Sequence, residues 1–99
     1  MSTDVKFAKR AIHDKFEAQI DTANAKLSTL KARAEGAKAT VELKAIAELV
    51  TKKQAILQKL HYLKKSDGGQ WEHLKTDLEA MITDLENSVR QIELKANAN

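Results

Sequence analysis

The chain has 99 residues, 42% of them apolar and 31% charged, with a formal net charge of +3. That length supports one domain, 1–99, and no more. Proline and cysteine are absent and glycine occurs only at 36, 68 and 69, which excludes many-turned β architectures, disulfides, thiolate nucleophiles and the commoner zinc sites. Ala, Leu, Lys, Glu and Gln dominate, all of them helix formers, so the expected class is all-α and coiled-coil-like. No apolar run approaches the ~18–20 residues needed to cross a bilayer. Met1 to Phe7 carry no signal-peptide apolar stretch, so the expectation is a soluble, cytoplasmic protein.

From the N-terminus, Phe16, Ile20, Ala23, Leu27, Leu30, Ala34, Ala37 and Val41 alternate steps of four and three. This is a seam sustained for more than three heptads. Val5, Ala8 and Ile12 extend it upstream. Strict heptad spacing then lands on Lys44, Glu48 and Thr51, and the stripe resumes on Leu43, Ile46, Leu49/Val50, Ile56/Leu57, Leu60 and Leu63. Such a phase shift is either a stutter in one helix or a break.

Gly36 is the candidate break. If it ends a helix as a C′ glycine, Thr40 caps the next one, Glu42 supplies an acid to its first turn, and the chain forms a three-helix bundle. If the helix continues, it runs over about 4–65, and a second helix over about 68–96 folds back as an antiparallel coiled-coil hairpin. We expect the hairpin, because the heptad passes through Ala34, Ala37 and Val41 without losing register, and one helical glycine costs only about 1 kcal/mol relative to alanine. The bundle is the alternative.

Lys64 and Lys65 place positive charge on a final helical turn, Asp67 is placed to cap the next helix, and Gln70 sits three residues later. Trp71, Leu74, Leu78, Met81/Ile82, Leu85, Val89, Ile92 and Ala96 then draw one stripe along the last helix. Trp71 is in register with this stripe and is expected to plug the end of the hairpin.

Charge divides along the chain. Residues 1–65 hold 14 Lys/Arg against 7 Asp/Glu, whereas residues 66–99 hold 3 against 7. Folding the last helix back lays Glu72, Asp77, Glu79, Asp84 and Glu86 beside the lysines of the stretch 49–66. A sharper reading makes Lys52, Lys53, Lys59, Lys64 and Lys65 an anion-binding face for nucleic acid or an anionic membrane. A solvated helix face is the stronger expectation. Arginine occurs only at 10, 33 and 90, and no aromatics interleave with the lysines as stacking platforms.

Chemistry finds little foothold. There is no phosphate-cradling glycine loop and no His-x-x-x-His pair. His61 and His73 flank the turn, but a metal needs three or four converging ligands, and neither histidine lies on the apolar stripe. We therefore expect no enzyme, no catalytic residues, no cofactor and no metal. The expected function is a non-enzymatic interaction or scaffold protein. In a continuous helix the seam from Phe16 to Val41 would lie open, so its partners would be a second copy, in a homo-oligomer such as a dimer, or a partner helix.

The segment Asp67-Gly68-Gly69-Gln70-Trp71-Glu72-His73-Leu74-Lys75 resembles a signature of small, uncharacterised bacterial coiled-coil proteins. In these, a long Lys/Glu/Ala-rich helix precedes Ser-Gly-x-x-Trp-x-x-Leu-Lys and a second amphipathic helix. Gly68, Trp71, Leu74 and Lys75 match, and Asp67 stands where the family has serine. The resemblance implies a helical hairpin and no particular activity.

Overall fold

The computed structural model describes residues 2–98, with side chains from Phe7 to Ala96. Among the described residues the chain forms three helices: α1 (Ser2–Gly36), α2 (Thr40–Lys65) and α3 (Gly68–Ala98). Each touches both others, in a bundle of 54 × 17 × 16 Å. At 1.5 Å per residue, the 35 residues of α1 run nearly the whole long axis.

Polar pairs fix the register. Gln19 meets Glu86 and Lys26 meets Glu93, so seven residues along α1 match seven along α3 in the same direction. Lys52 meets Asp84 and Lys59 meets Asp77, so α2 and α3 run in opposite directions. The topology is up-down-up.

The expected hairpin with a helix over 4–65 is therefore corrected to the three-helix bundle. The reversal lies at Ala37-Lys38-Ala39. The Ala39 amide donates to the Ala34 carbonyl (2.9 Å) and the Lys38 amide to the Glu35 carbonyl (3.2 Å), which together make a Schellman ending. Its left-handed residue is Lys38, with φ +56, not Gly36, which remains the last residue of α1. Ala39, not Thr40, occupies the cap of α2 and offers no side-chain hydrogen bond there.

Burial explains why the chain turns against its local propensities. A non-glycine residue in the left-handed region costs about 1–2 kcal/mol. A continuous helix in a monomer would strand Phe16, Ile20, Leu27 and Leu30 in water, each forfeiting about 1.5–3 kcal/mol. Burial of four such side chains outweighs the strain of one turn residue, and all four are buried.

The core takes Phe16, Ile20, Ala23, Leu27, Leu30 and Ala34 from α1, and Ile46, Leu49, Ile56, Leu60 and Leu63 from α2. From α3 it takes Trp71, Leu78, Ile82, Leu85 and Val89. Ile12, Leu43, Val50, Leu74, Met81, Ile92 and Ala96 pack at its margin. No buried polar side chain occurs among the described residues. The α3 stripe is realised in full, whereas Leu57 stays on the surface. Val5 lies outside the described side chains, and Ala8 is exposed.

Between α2 and α3, the Ser66 amide donates to the Leu63 carbonyl, and Ser66 Oγ donates to the Tyr62 carbonyl (2.7 Å). Gly68 has φ +54 with open space around its Cα, a backbone conformation that suits glycine. The Asp67 carbonyl accepts the Trp71 amide (3.2 Å), which makes Asp67 the capping residue of α3 through its backbone.

Candidate interaction surfaces

The seam residues expected to recruit a partner divide into two groups. Phe16, Ile20, Ala23, Leu27, Leu30 and Ala34 are buried against α2 and α3 of the same chain. Ala37 and Val41 lie beyond the end of α1 and are exposed, Val41 at 79%. The stretch from Phe16 to Ala34 is thus an internal core stripe rather than an open seam, and Ala37 and Val41 fall outside it. The cause is the left-handed Lys38, which turns α2 out of the heptad phase of α1.

The lysines grouped as one anion-binding face spread over two flanks of α2. Lys52 and Lys59 face α3, with Nζ 3.4 Å from the carboxylates of Asp84 and Asp77 respectively. Lys53 faces α1 and donates to Asn24 Oδ1 at 2.6 Å. Lys64 and Lys65 are exposed at the end of the helix. The pairing with Asp77 and Asp84 follows the charge division read in the sequence. The contacts of Asn24, of Lys26 with Glu93 and of Gln19 with Glu86 do not, because they depend on α1 lying alongside both other helices. Their signal was their place immediately beside the seam positions Ala23, Leu27 and Ile20.

Trp71 closes the end of the bundle, as expected, and is only 5% exposed. Two ammonium groups sit over its ring, Lys9 Nζ at 5.2 Å and Lys75 Nζ at 5.9 Å from the centroid. Both lie within cation–π range. Lys75 is one turn along α3, but Lys9 arrives from α1 and is not legible from spacing.

Beside Trp71 lies an open cleft of about 750 Å³ between the first half of α1 and the α2–α3 turn. Lys9, Arg10 and Lys64 line it, and so do Asp14, Glu17 and Asp67. His13 Nδ1 is 3.6 Å from Asp14 and 4.0 Å from Glu17. Three cations and three carboxylates leave the cleft without the single-sign field that gathers a charged ligand.

His61 and His73 are both exposed, and His73 Nε2 lies 3.6 Å from Asp77 one turn along its own helix. Among the described residues no three His, Cys, Asp or Glu side chains converge as a metal site. No helix among them is long and apolar enough to cross a membrane. Large exposed apolar side chains are scattered: Phe7 on α1, Val41, Leu57 and Tyr62 on α2, and Leu94 on α3. No family model, no curated protein and no solved structure matches the chain.

Proposed function

We propose that the chain is a non-enzymatic interaction module, a slender helical scaffold that presents charged helix faces to partners. The observation behind this reading is the division of each helix into two faces. Each helix buries an apolar stripe in one shared core, while the outward faces carry charges such as Lys15, Lys31, Lys44, Glu72 and Glu79. A charged exterior on a rigid rod suits partner selection by electrostatic complementarity. The cleft beside Trp71 is open and carries charges of both signs, unlike the enclosed, water-poor sites in which reacting groups are preorganised.

The test is photo-crosslinking in cells from one exposed position on each helix, Lys31, Lys44 and Glu79. A discrete adduct from one face, lost when neighbouring charges on that face are reversed, supports the module. Two other results count against it. One is a metabolite that raises the melting temperature and is turned over. The other is salt-sensitive binding of nucleic acid or acidic vesicles lost on removing Lys64 and Lys65, which would make the chain an anionic-surface binder.

A further inference from the structure

We infer that two copies of this chain exchange their first helices by opening the turn at 37–39, giving a dimer in which α1 of each copy packs on α2 and α3 of the other. The proposal names a second copy as one partner of the interaction module and rests on that reading.

Four observations converge on this turn. Lys38 is the one non-glycine residue with positive φ among the described residues, so the closed form holds a strained link that the open form releases. The link itself, Ala37-Lys38-Ala39, contains only strong helix formers and neither glycine nor proline, so its relaxed state is helix. The N-terminus of α2 has no side-chain cap to lose on opening, since Ala39 makes no capping hydrogen bond. Finally, Phe16 to Val41 is one unbroken heptad series, although the closed fold uses it only as far as Ala34 and leaves Val41 79% exposed.

Straightening the link joins α1 to α2 and returns Ala37 and Val41 to the seam. Two such helices, lying antiparallel, cross near these residues. Each α1 then finds the groove between α2 and α3 that it fills in the monomer, now on the other chain. The core contacts are rebuilt unchanged, and the balance shifts by the turn strain released and by the new contact at Ala37 and Val41. Short hinge links under strain favour such exchange, and exchange of an identical element is a low-cost route to a dimer.

The experiment uses the full chain, heated through unfolding and cooled slowly at several concentrations, then separated by size. The Lys26→Cys/Glu93→Cys variant, placed where the two side chains approach within 3.7 Å across α1 and α3, is treated with a short bismaleimide. The expected result is a dimer fraction in which the bridge joins two chains, and a monomer fraction in which it stays within one. Two turns open per dimer, so each substitution in the link acts twice. Lys38→Gly should weaken the dimer on the order of tenfold or more, because glycine tolerates the left-handed turn. Lys38→Val should strengthen it comparably, because a β-branched residue is badly strained there.

Monomer alone at every concentration, in the parent and in Lys38→Val alike, would overturn the proposal. So would a dimer whose bridges lie wholly within single chains, which is a pair of closed bundles. Circular dichroism confirms that each variant is folded before its mass is read. Chain topology is independent of the photo-crosslinking to other partners, so the exchange and the module reading fail separately.

Discussion

The amide of Ala39 reaches back to the carbonyl of Ala34 at 2.9 Å, and through that bond a half-buried methyl at the start of α2 is held near a buried one at the end of α1. Everything distinctive in the fold follows from this closure. It sends α2 back along α1 and converts an open seam into a core.

The residue that carries the closure is Lys38, in a conformation that costs about 1–2 kcal/mol outside glycine. Lys38→Gly removes that strain and gives part of it back as unfolded-chain entropy. The expected net effect on the monomer is a gain of roughly 0.5–1 kcal/mol, or a melting point higher by about 4 °C for a chain of this size. Thermal denaturation followed at 222 nm, at low concentration, checks it.

Gly68 makes the reverse case. Its φ of +54 makes Gly68→Ala costly, by about 1 kcal/mol, even though nothing lies within 4 Å of the added Cβ. Gly69→Ala, at a position with equally open surroundings and no positive φ, should be neutral or slightly stabilising. Urea unfolding of the pair separates backbone conformation from steric room.

Core and surface leucines should differ sharply on α3. Leu78 is completely buried and Leu94 is 63% exposed. Leu78→Ala is expected to cost about 2–5 kcal/mol, a large part of the stability of a small domain. Leu94→Ala should stay within about 0.5 kcal/mol. Equal losses in chemical denaturation would mean that the assigned face of α3 is wrong.

Much of this was legible in the sequence, and the failures share one cause. The α3 stripe from Trp71 to Ala96 reads correctly because Gly68 and Gly69 announce its start and one helix then runs unbroken. The seam from Phe16 to Ala34 also reads correctly as one apolar stripe, but the expected open face is covered by α2 and α3 of the same chain. What misleads is the passage through Ala37 and Val41. Local propensity there favours helix, and tertiary packing decides against it: residues beyond the turn bury Phe16, Ile20, Leu27 and Leu30. Ala37-Lys38-Ala39 carries no turn signal, because lysine occupies the left-handed position where glycine or asparagine is usual. Gly36, the conspicuous residue, lies two positions short of it. Among the surface features, the Lys52 and Lys59 pairings follow from charge bias, whereas Lys9 over Trp71 needs the third helix to be in place.

That Lys9–Trp71 contact gives a sensitive local probe. Lys9→Ala should lower stability by about 0.5–1 kcal/mol, with a change in Trp71 emission and no loss of helix. Trp71→Ala, which empties a buried site, should cost about 3–5 kcal/mol. Trp71 is the single tryptophan, so the fluorescence signal is unambiguous.

The ion pairs along the α2–α3 flank should set register more than stability. Both partners of Lys59–Asp77 are more than one-third exposed, and a double-mutant cycle on Lys59→Ala and Asp77→Ala should return a few tenths of a kcal/mol. The coupling should shrink further in high salt.

The most direct measurement of the three-helix closure is small-angle X-ray scattering on the size-separated monomer. The bundle should give a largest dimension near the 54 Å of its long axis and a radius of gyration close to the 15.9 Å of its Cα trace. A monomer with a largest dimension of about 90 Å, the length of a continuous 60-residue helix, would contradict it.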